Sequence, residues 1–272
     1  MLHHNNSTSQ SLVSYGARQQ QRSQRPTVGK SLQEPPEIAL SFHVMANIEN
    51  NYTQLSQRIL AACAVAKRNP ENVSLLAVSK TKPAEVITQA MDLGLRQFGE
   101  NYLQEALEKI QQLQHHDLQW HFIGRIQSNK CKSIANEFSW VQTLDRLKIA
   151  QRLNNLRTQP APLNVLIQVN LDDDPNKGGV DSHGAEQLLK QLLTLPNLVP
   201  RGLMTILAKP TVSRVGYESV AQLHHQLGEK FASALTQWDT LSMGMSADLE
   251  DAIAAGATMV RVGTDLFGAR SN

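Results

Sequence analysis

Between residues 73 and 262 the chain alternates eight times between an apolar run of strand length and a stretch with helical spacing. Strands are expected over 73–79, 96–98, 119–123, 140–143, 163–171, 199–207, 240–242 and 259–262. Helices are expected over 83–93, 102–113, 129–137, 145–156, 182–195, 217–236 and 247–255, with a short one near Asp265. A strand that returns parallel to its predecessor needs a crossover, and a helix supplies it, so the alternation implies a parallel sheet. Eight units fit a closed (β/α)8 TIM barrel; an open doubly wound sheet has about five or six strands. No Gly-x-Gly-x-x-Gly fingerprint follows the first strand, which argues against a dinucleotide fold. The expected class is therefore α/β, a single barrel. One extra helix precedes it over 46–68, where Ile48, Tyr52, Leu55, Ile59, Leu60 and Cys63 recur at helical spacing.

Composition narrows the function classes. Apolar residues make up 41% of 272, enough for one large core. Basic residues number 26 and acidic ones 24; four basic (Arg18, Arg22, Arg25, Lys30) and two acidic (Glu34, Glu37) precede Met45, so the remainder is neutral. Nothing in that balance calls for nucleic acid. No apolar run approaches the roughly 20 residues of a membrane span, and a soluble, cytoplasmic protein is expected. Cys63 and Cys131 are too few and too far apart for a disulfide framework or a zinc site, and both read as buried small hydrophobes. Residues 1–44 are rich in Ser and Gln and lack hydrophobic periodicity, so they read as a disordered extension before a barrel over 45–272. Their arginines hint at a transit peptide, but the amphipathic stripe is poor. A dispensable tail, or a reading frame begun upstream of a true start at Met45, is the favoured reading.

In such a barrel the chemistry sits at the C-terminal ends of the strands. The first strand runs into Ser79-Lys80-Thr81-Lys82-Pro83. A lysine at the mouth of a buried strand is partly desolvated, which favours the neutral amine and its attack on carbonyls. The seventh strand leads into Ser242-Met243-Gly244-Met245-Ser246, and the eighth into Arg261-Val262-Gly263-Thr264. Small residues before helix starts let N–H groups point at an anion, and Ser246 and Thr264 add hydroxyls. Ser246 also reads as a plain N-cap. An amine on strand 1 and a phosphate cradle on strands 7 and 8 together fit pyridoxal 5′-phosphate, which carries an aldehyde and a phosphate. Asn101 follows strand 2 and reads either as a ring contact or as a helix cap. His121, inside strand 3, and Met204, at the end of strand 6, read as barrel packing. Asp172-Asp173-Asp174 lacks calcium-loop spacing and reads as a solvated loop, and the paired histidines lack the i, i+4 spacing of metal ligands. No metal is expected.

Seven motifs then form a familiar set. Ala77-Val78-Ser79-Lys80-Thr81-Lys82-Pro83, Phe98-Gly99-Glu100-Asn101-Tyr102, Trp120-His121-Phe122-Ile123-Gly124 and Gln127-Ser128-Asn129-Lys130 resemble the YggS/PROSC family of pyridoxal phosphate homeostasis proteins. So do Arg201-Gly202-Leu203-Met204, Ser242-Met243-Gly244-Met245-Ser246, and Met259 to Thr264 continuing to Phe267-Gly268-Ala269-Arg270. The resemblance covers residues 46–270 in the same order. It implies a fold like the barrel domain of alanine racemase and one cofactor held as an internal aldimine on Lys80. It also implies a phosphate cradle of Ser246, Gly263 and Thr264, with Met243 in the same motif. Arg261 would face the pyridine nitrogen, and Asn101 would lie beside the cofactor. Gly124-Arg125-Ile126 and Asn176-Lys177-Gly178-Gly179 depart from the family's usual pattern, both in loops.

Two functions follow from the resemblance. One is a carrier that buffers pyridoxal phosphate (PLP), without turnover, and serves apo PLP-dependent enzymes; a monomer with neither nucleic-acid nor membrane partners is expected. The other is an amino-acid racemase, which needs an acid/base on each face of the substrate carbon. Lys80 can serve one face. Two-domain racemases take the second from a tyrosine of an additional C-terminal domain, whereas this chain ends just after the barrel closes. Of Tyr15, Tyr52, Tyr102 and Tyr217, only Tyr102 is expected near a mouth loop. The carrier is the favoured reading.

Overall fold

The computed structural model describes residues 36–172, 174, 177–207 and 213–268. Eight parallel strands close into a barrel in simple sequence order: β1 (Ser74–Val78), β2 (Gln97–Glu100), β3 (Gln119–Phe122), β4 (Trp140–Leu144), β5 (Leu163–Val169), β6 (Leu198–Thr205), β7 (Thr240–Ser242) and β8 (Met259–Val262). Closure comes from β8 pairing with β1, Leu76 opposite Arg261. The register of β4 against β5 shifts between Val141 and Leu144. The crossover helices are α2 (Ala84–Asp92), α3 (Leu103–Gln112), α4 (Cys131–Glu137), α5 (Leu147–Leu156), α6 (Ser182–Leu192), α7 (Ser213–Lys230), α8 (Leu249–Ala254) and the short α9 (Thr264–Phe267), preceded by α1 (Pro36–Val65). The (β/α)8 expectation holds in strand number, order and direction.

The main core fills the space between barrel and helices. The α6 helix shows why: Ala185, Leu188, Leu189 and Leu192 recur at helical spacing and are all buried, and Asp181 caps its start by accepting the Gly184 N–H at 2.7 Å. The β5 strand is apolar nearly throughout because a parallel strand is covered on both faces. Cys63 and Cys131 are buried free thiols in this core.

Several boundaries differ from the sequence reading; α7, for one, runs over Ser213–Lys230 rather than 217–236. The α1 helix starts at Pro36, upstream of Met45, so the segment read as tail includes helix; proline suits a first helical position, where its missing N–H costs nothing. Residues 1–35 lie outside the described residues. The α5 helix is not opened by Asp145: Arg146 occupies the N-cap position, and Asp145 instead accepts a bond from its guanidinium at 2.8 Å. Nor does Ser246 cap α8, whose N-cap position is Asp248.

The barrel interior carries a polar layer. Arg261 Nη1 donates to Ser242 Oγ (2.9 Å), Ser242 Oγ donates to Gln142 Oε1 (2.7 Å), and Gln142 Nε2 lies 2.9 Å from His121 Nδ1. The amide can only donate there, so the imidazole holds its proton on Nε2. Burial pushes the His121 pKa down to about 3, and its ring stacks on Trp140. The depressed pKa keeps the imidazole neutral in the fold, whereas the unfolded chain takes up a proton below about pH 6.5. Stability from this site is therefore full above that pH and is lost as pH falls toward 3. At pH 5 the loss is about 2 kcal/mol. His121→Asn should flatten this component of the pH dependence in chemical denaturation at pH 7 and pH 5; an unchanged pH slope would contradict it.

Candidate functional site

Lys80 sits two residues beyond β1, half-buried. It opens onto a cavity of about 320 Å³ at the C-terminal ends of the strands. Asn101, Ser246, Arg261, Gly263 and Thr264 line the same cavity, so six of the seven expected residues converge. Met243 does not. Its side chain is fully buried in the core outside the barrel wall, because residues alternate across a strand and Ser242 takes the inward place. Met204, read as packing, does double duty: it packs on Trp140 and Leu166 inside the barrel and forms part of the cavity wall with Ile123 and Ile206.

The loops after β7 and β8 form one side. Gly244 turns the first of them with φ +90°, and a Cβ there would meet the Ala252 Cβ at 2.5 Å, so only glycine fits. Asp248 shapes the loop that follows: it accepts the Met245 N–H at 2.7 Å and the Tyr217 O–H at 2.8 Å. Arg58 on α1 ties both loops together, donating to the Ser246 carbonyl (2.9 Å) and to Asp265 (2.6 Å). The helix that precedes the barrel thus braces the site.

Arg261 enters from β8 with 4% exposure, its Nη2 donating to the Thr205 carbonyl at 2.8 Å. Burial pulls its pKa down to about 10, against the opposing influence of Tyr217 and Asp248. The guanidinium therefore stays charged at neutral pH. Ser242 and Thr205 occupy two of its five N–H donors, and it borders the cavity. Asn101 does not cap α3, whose N-cap position is Tyr102; its Oδ1 is buried and accepts no hydrogen bond among the described residues.

The tyrosines match the expectation in part, since Tyr102 does lie in the loop after β2. Tyr102 is 55% exposed and does not border the cavity, whereas Tyr217 is buried behind Arg261, held by Asp248. No local signal marks Tyr217: only the packing of α7 against α8 brings it there. Asp172 and Asp174 face Lys177 at 3.0 and 3.8 Å, so the acidic run is engaged in ion pairs. Asp173 and Asn176 lie outside the described residues.

Gly124 sets the position of Asn101. A Cβ at Gly124 would lie 2.0 Å from the Asn101 carbonyl oxygen, a backbone atom that cannot swing aside. Gly124→Ala should cost about 1–3 kcal/mol by overpacking, read as a lowered denaturation midpoint. An unchanged midpoint would mean that the strand ends part freely.

Known proteins resemble this chain over the whole barrel. The family model of the alanine racemase N-terminal domain matches residues 45–271. A protein of Escherichia coli (strain K12) named pyridoxal phosphate homeostasis protein is 48% identical over 233 residues, covering 83% of this chain and 98% of its own. A protein of the same name in Pasteurella multocida is 50% identical over 228 residues, covering 82% and 97%. Among solved structures, PipY of Synechococcus elongatus PCC7942 with PLP bound is 34% identical, with a TM-score of 0.68 over 78% of this chain and 100% of that one. An alanine racemase of Clostridium difficile 630 shares the fold alone, at 16% identity and a TM-score of 0.62, covering 80% of this chain and 57% of the racemase. The chain belongs to the alanine racemase N-terminal domain family and, within it, to the pyridoxal phosphate homeostasis proteins.

Proposed function

We propose that this protein binds PLP in the cavity at the barrel mouth, attaches it to Lys80, and holds it as part of PLP homeostasis without turning over a substrate. The carrying observation is that one cavity brings together a lysine amine, the hydroxyls of Ser246 and Thr264, and a buried arginine. That donor set fits a phosphorylated aromatic aldehyde. When bound, PLP would supply an electrophilic aldehyde carbon to the Lys80 amine, the carbonyl oxygen leaving as water with the two amine protons. Ser246, Thr264 and the N–H groups near Gly263 would hold its phosphate. Asn101 offers an unpartnered buried oxygen to a ring substituent.

Arg261 argues for a carrier. A guanidinium that stays protonated at neutral pH donates to a ring nitrogen and does not give it a proton. An unprotonated ring is a poor electron sink, which weakens carbanion chemistry. Racemisation also needs a second proton carrier opposite Lys80. The titratable side chains among the described lining residues are Lys80, Lys82 and Arg261.

Apo PLP-dependent enzymes are the recipients this reading implies, with a monomeric protein working in the cytoplasm and neither nucleic acid nor membrane as partner. Among the described residues no helix is long and apolar enough to cross a membrane. The test is an absorbance spectrum of the purified protein with PLP, before and after borohydride, with peptide mapping. A near-visible band and a pyridoxyl group on Lys80 are expected. No band after added PLP would leave only a phosphate-binding barrel, and turnover of an amino acid would replace carrier by enzyme.

A further inference from the structure

Lys80 is flanked by two peptide units, and both are held by a side-chain cluster whose members, Glu100, Glu105 and Lys109, do not border the cavity. Lys109, on α3, is 4% exposed. Its Nζ donates to the Ser79 carbonyl at 2.8 Å, to Glu100 Oε1 at 2.7 Å and to Glu105 Oε1. An ammonium has three donors, so all are occupied. Glu105 Oε1 also accepts the Thr81 N–H at 2.5 Å, and Ser79 Oγ donates to Glu100 Oε1 at 2.7 Å. The carbonyl before Lys80 and the N–H after it therefore meet on one ammonium, the first directly and the second through Glu105. Thr81 sits at φ +63°, a strained conformation for a β-branched residue, which persists only where surrounding bonds over-determine it.

We propose that Lys109 is a positioning residue for Lys80. By clamping the backbone on both sides of the attachment lysine it sets the direction in which the amine enters the cavity, and so the rate of attachment, without touching the ligand. The inference rests on the reading of Lys80 as the point of attachment. The same geometry gives the two lysines different work: Lys109 has its donors committed in a buried cluster, whereas Lys80 borders the cavity.

The test uses the full-length protein freed of PLP by dialysis against an amine, then mixed with PLP in a stopped-flow absorbance measurement. Lys109→Met should slow appearance of the near-visible band about ten- to hundredfold, the effect of a misplaced reacting group. Equilibrium dialysis of PLP against Lys80→Ala and Lys80→Ala/Lys109→Met separates positioning from general damage. The two affinities should agree within about twofold, because Lys109 does not border the cavity and its bonds go to Ser79, Glu100 and Glu105. A purely structural role would weaken both readouts together and would overturn the proposal, as would a folded Lys109→Met that attaches at the wild-type rate. Glu105, 28% exposed, is the second variant should Lys109→Met not fold. Glu105→Ala removes the Thr81 bond, leaves the Lys109–Glu100 pair, and should slow attachment about fivefold or more. Wild-type protein that forms no adduct would defeat the reading of Lys80 itself, a result distinct from slow attachment by the variants.

Discussion

Lys80→Ala is expected to lose all borohydride-fixable PLP while keeping its fold. Attachment needs an amine at the cavity, and Lys80 is the amine at the end of a barrel strand. Among the described residues its side chain takes part in no hydrogen bond or ion pair. Removing it therefore orphans no partner, and the stability change should stay within about 1 kcal/mol. Peptide mapping reads the first part and chemical denaturation the second. A pyridoxyl group appearing on Lys82 at wild-type yield would move the attachment point one turn of loop away. Unfolding of the variant would show that the side chain supports the strand end.

The next largest effect is expected at the phosphate side. Ser246→Ala with Thr264→Ala should weaken retention of PLP about a hundredfold or more in equilibrium dialysis. Each hydroxyl bond to a charged group contributes roughly 1.5–3 kcal/mol, and the backbone N–H donors of the loops remain, so the loss is partial. The braces around these loops do not pass through either hydroxyl: Arg58 uses the Ser246 carbonyl, and Asp248 uses the Met245 N–H. The loop shapes should thus survive the double change, and an altered affinity reports lost contacts. Unchanged affinity would place the phosphate elsewhere in the cavity.

The sequence and the structure divide the site between them along a physical line. Lys80, Ser246, Gly263 and Thr264 are legible because each stands just beyond a strand end, where barrel topology alone decides what faces the mouth. Met243 differs: motif membership says nothing about which side of the wall a side chain takes, and its side chain lies in the core while the inward place at the end of β7 belongs to Ser242. The partners of Arg261 were invisible. Ser242 reaches Gln142 across 100 residues of chain, and no local pattern encodes that pairing. Lys109 reads on its helix as one more surface lysine, in an i, i+4 pair with Glu105, until folding buries it against Ser79 and Glu100.

The barrel itself was written locally in the chain: the count, order and direction of the strands follow from eight apolar runs separated by helical periods. Which buried polar groups meet, how the Lys80 backbone is held, and that Tyr217 is packed near Arg261 through Asp248 depend on how distant segments come together in the fold. Hydrophobic periodicity is set by each residue's near neighbours, whereas a hydrogen bond inside a closed barrel depends on distant strands arriving at the same height, which no stretch of sequence records.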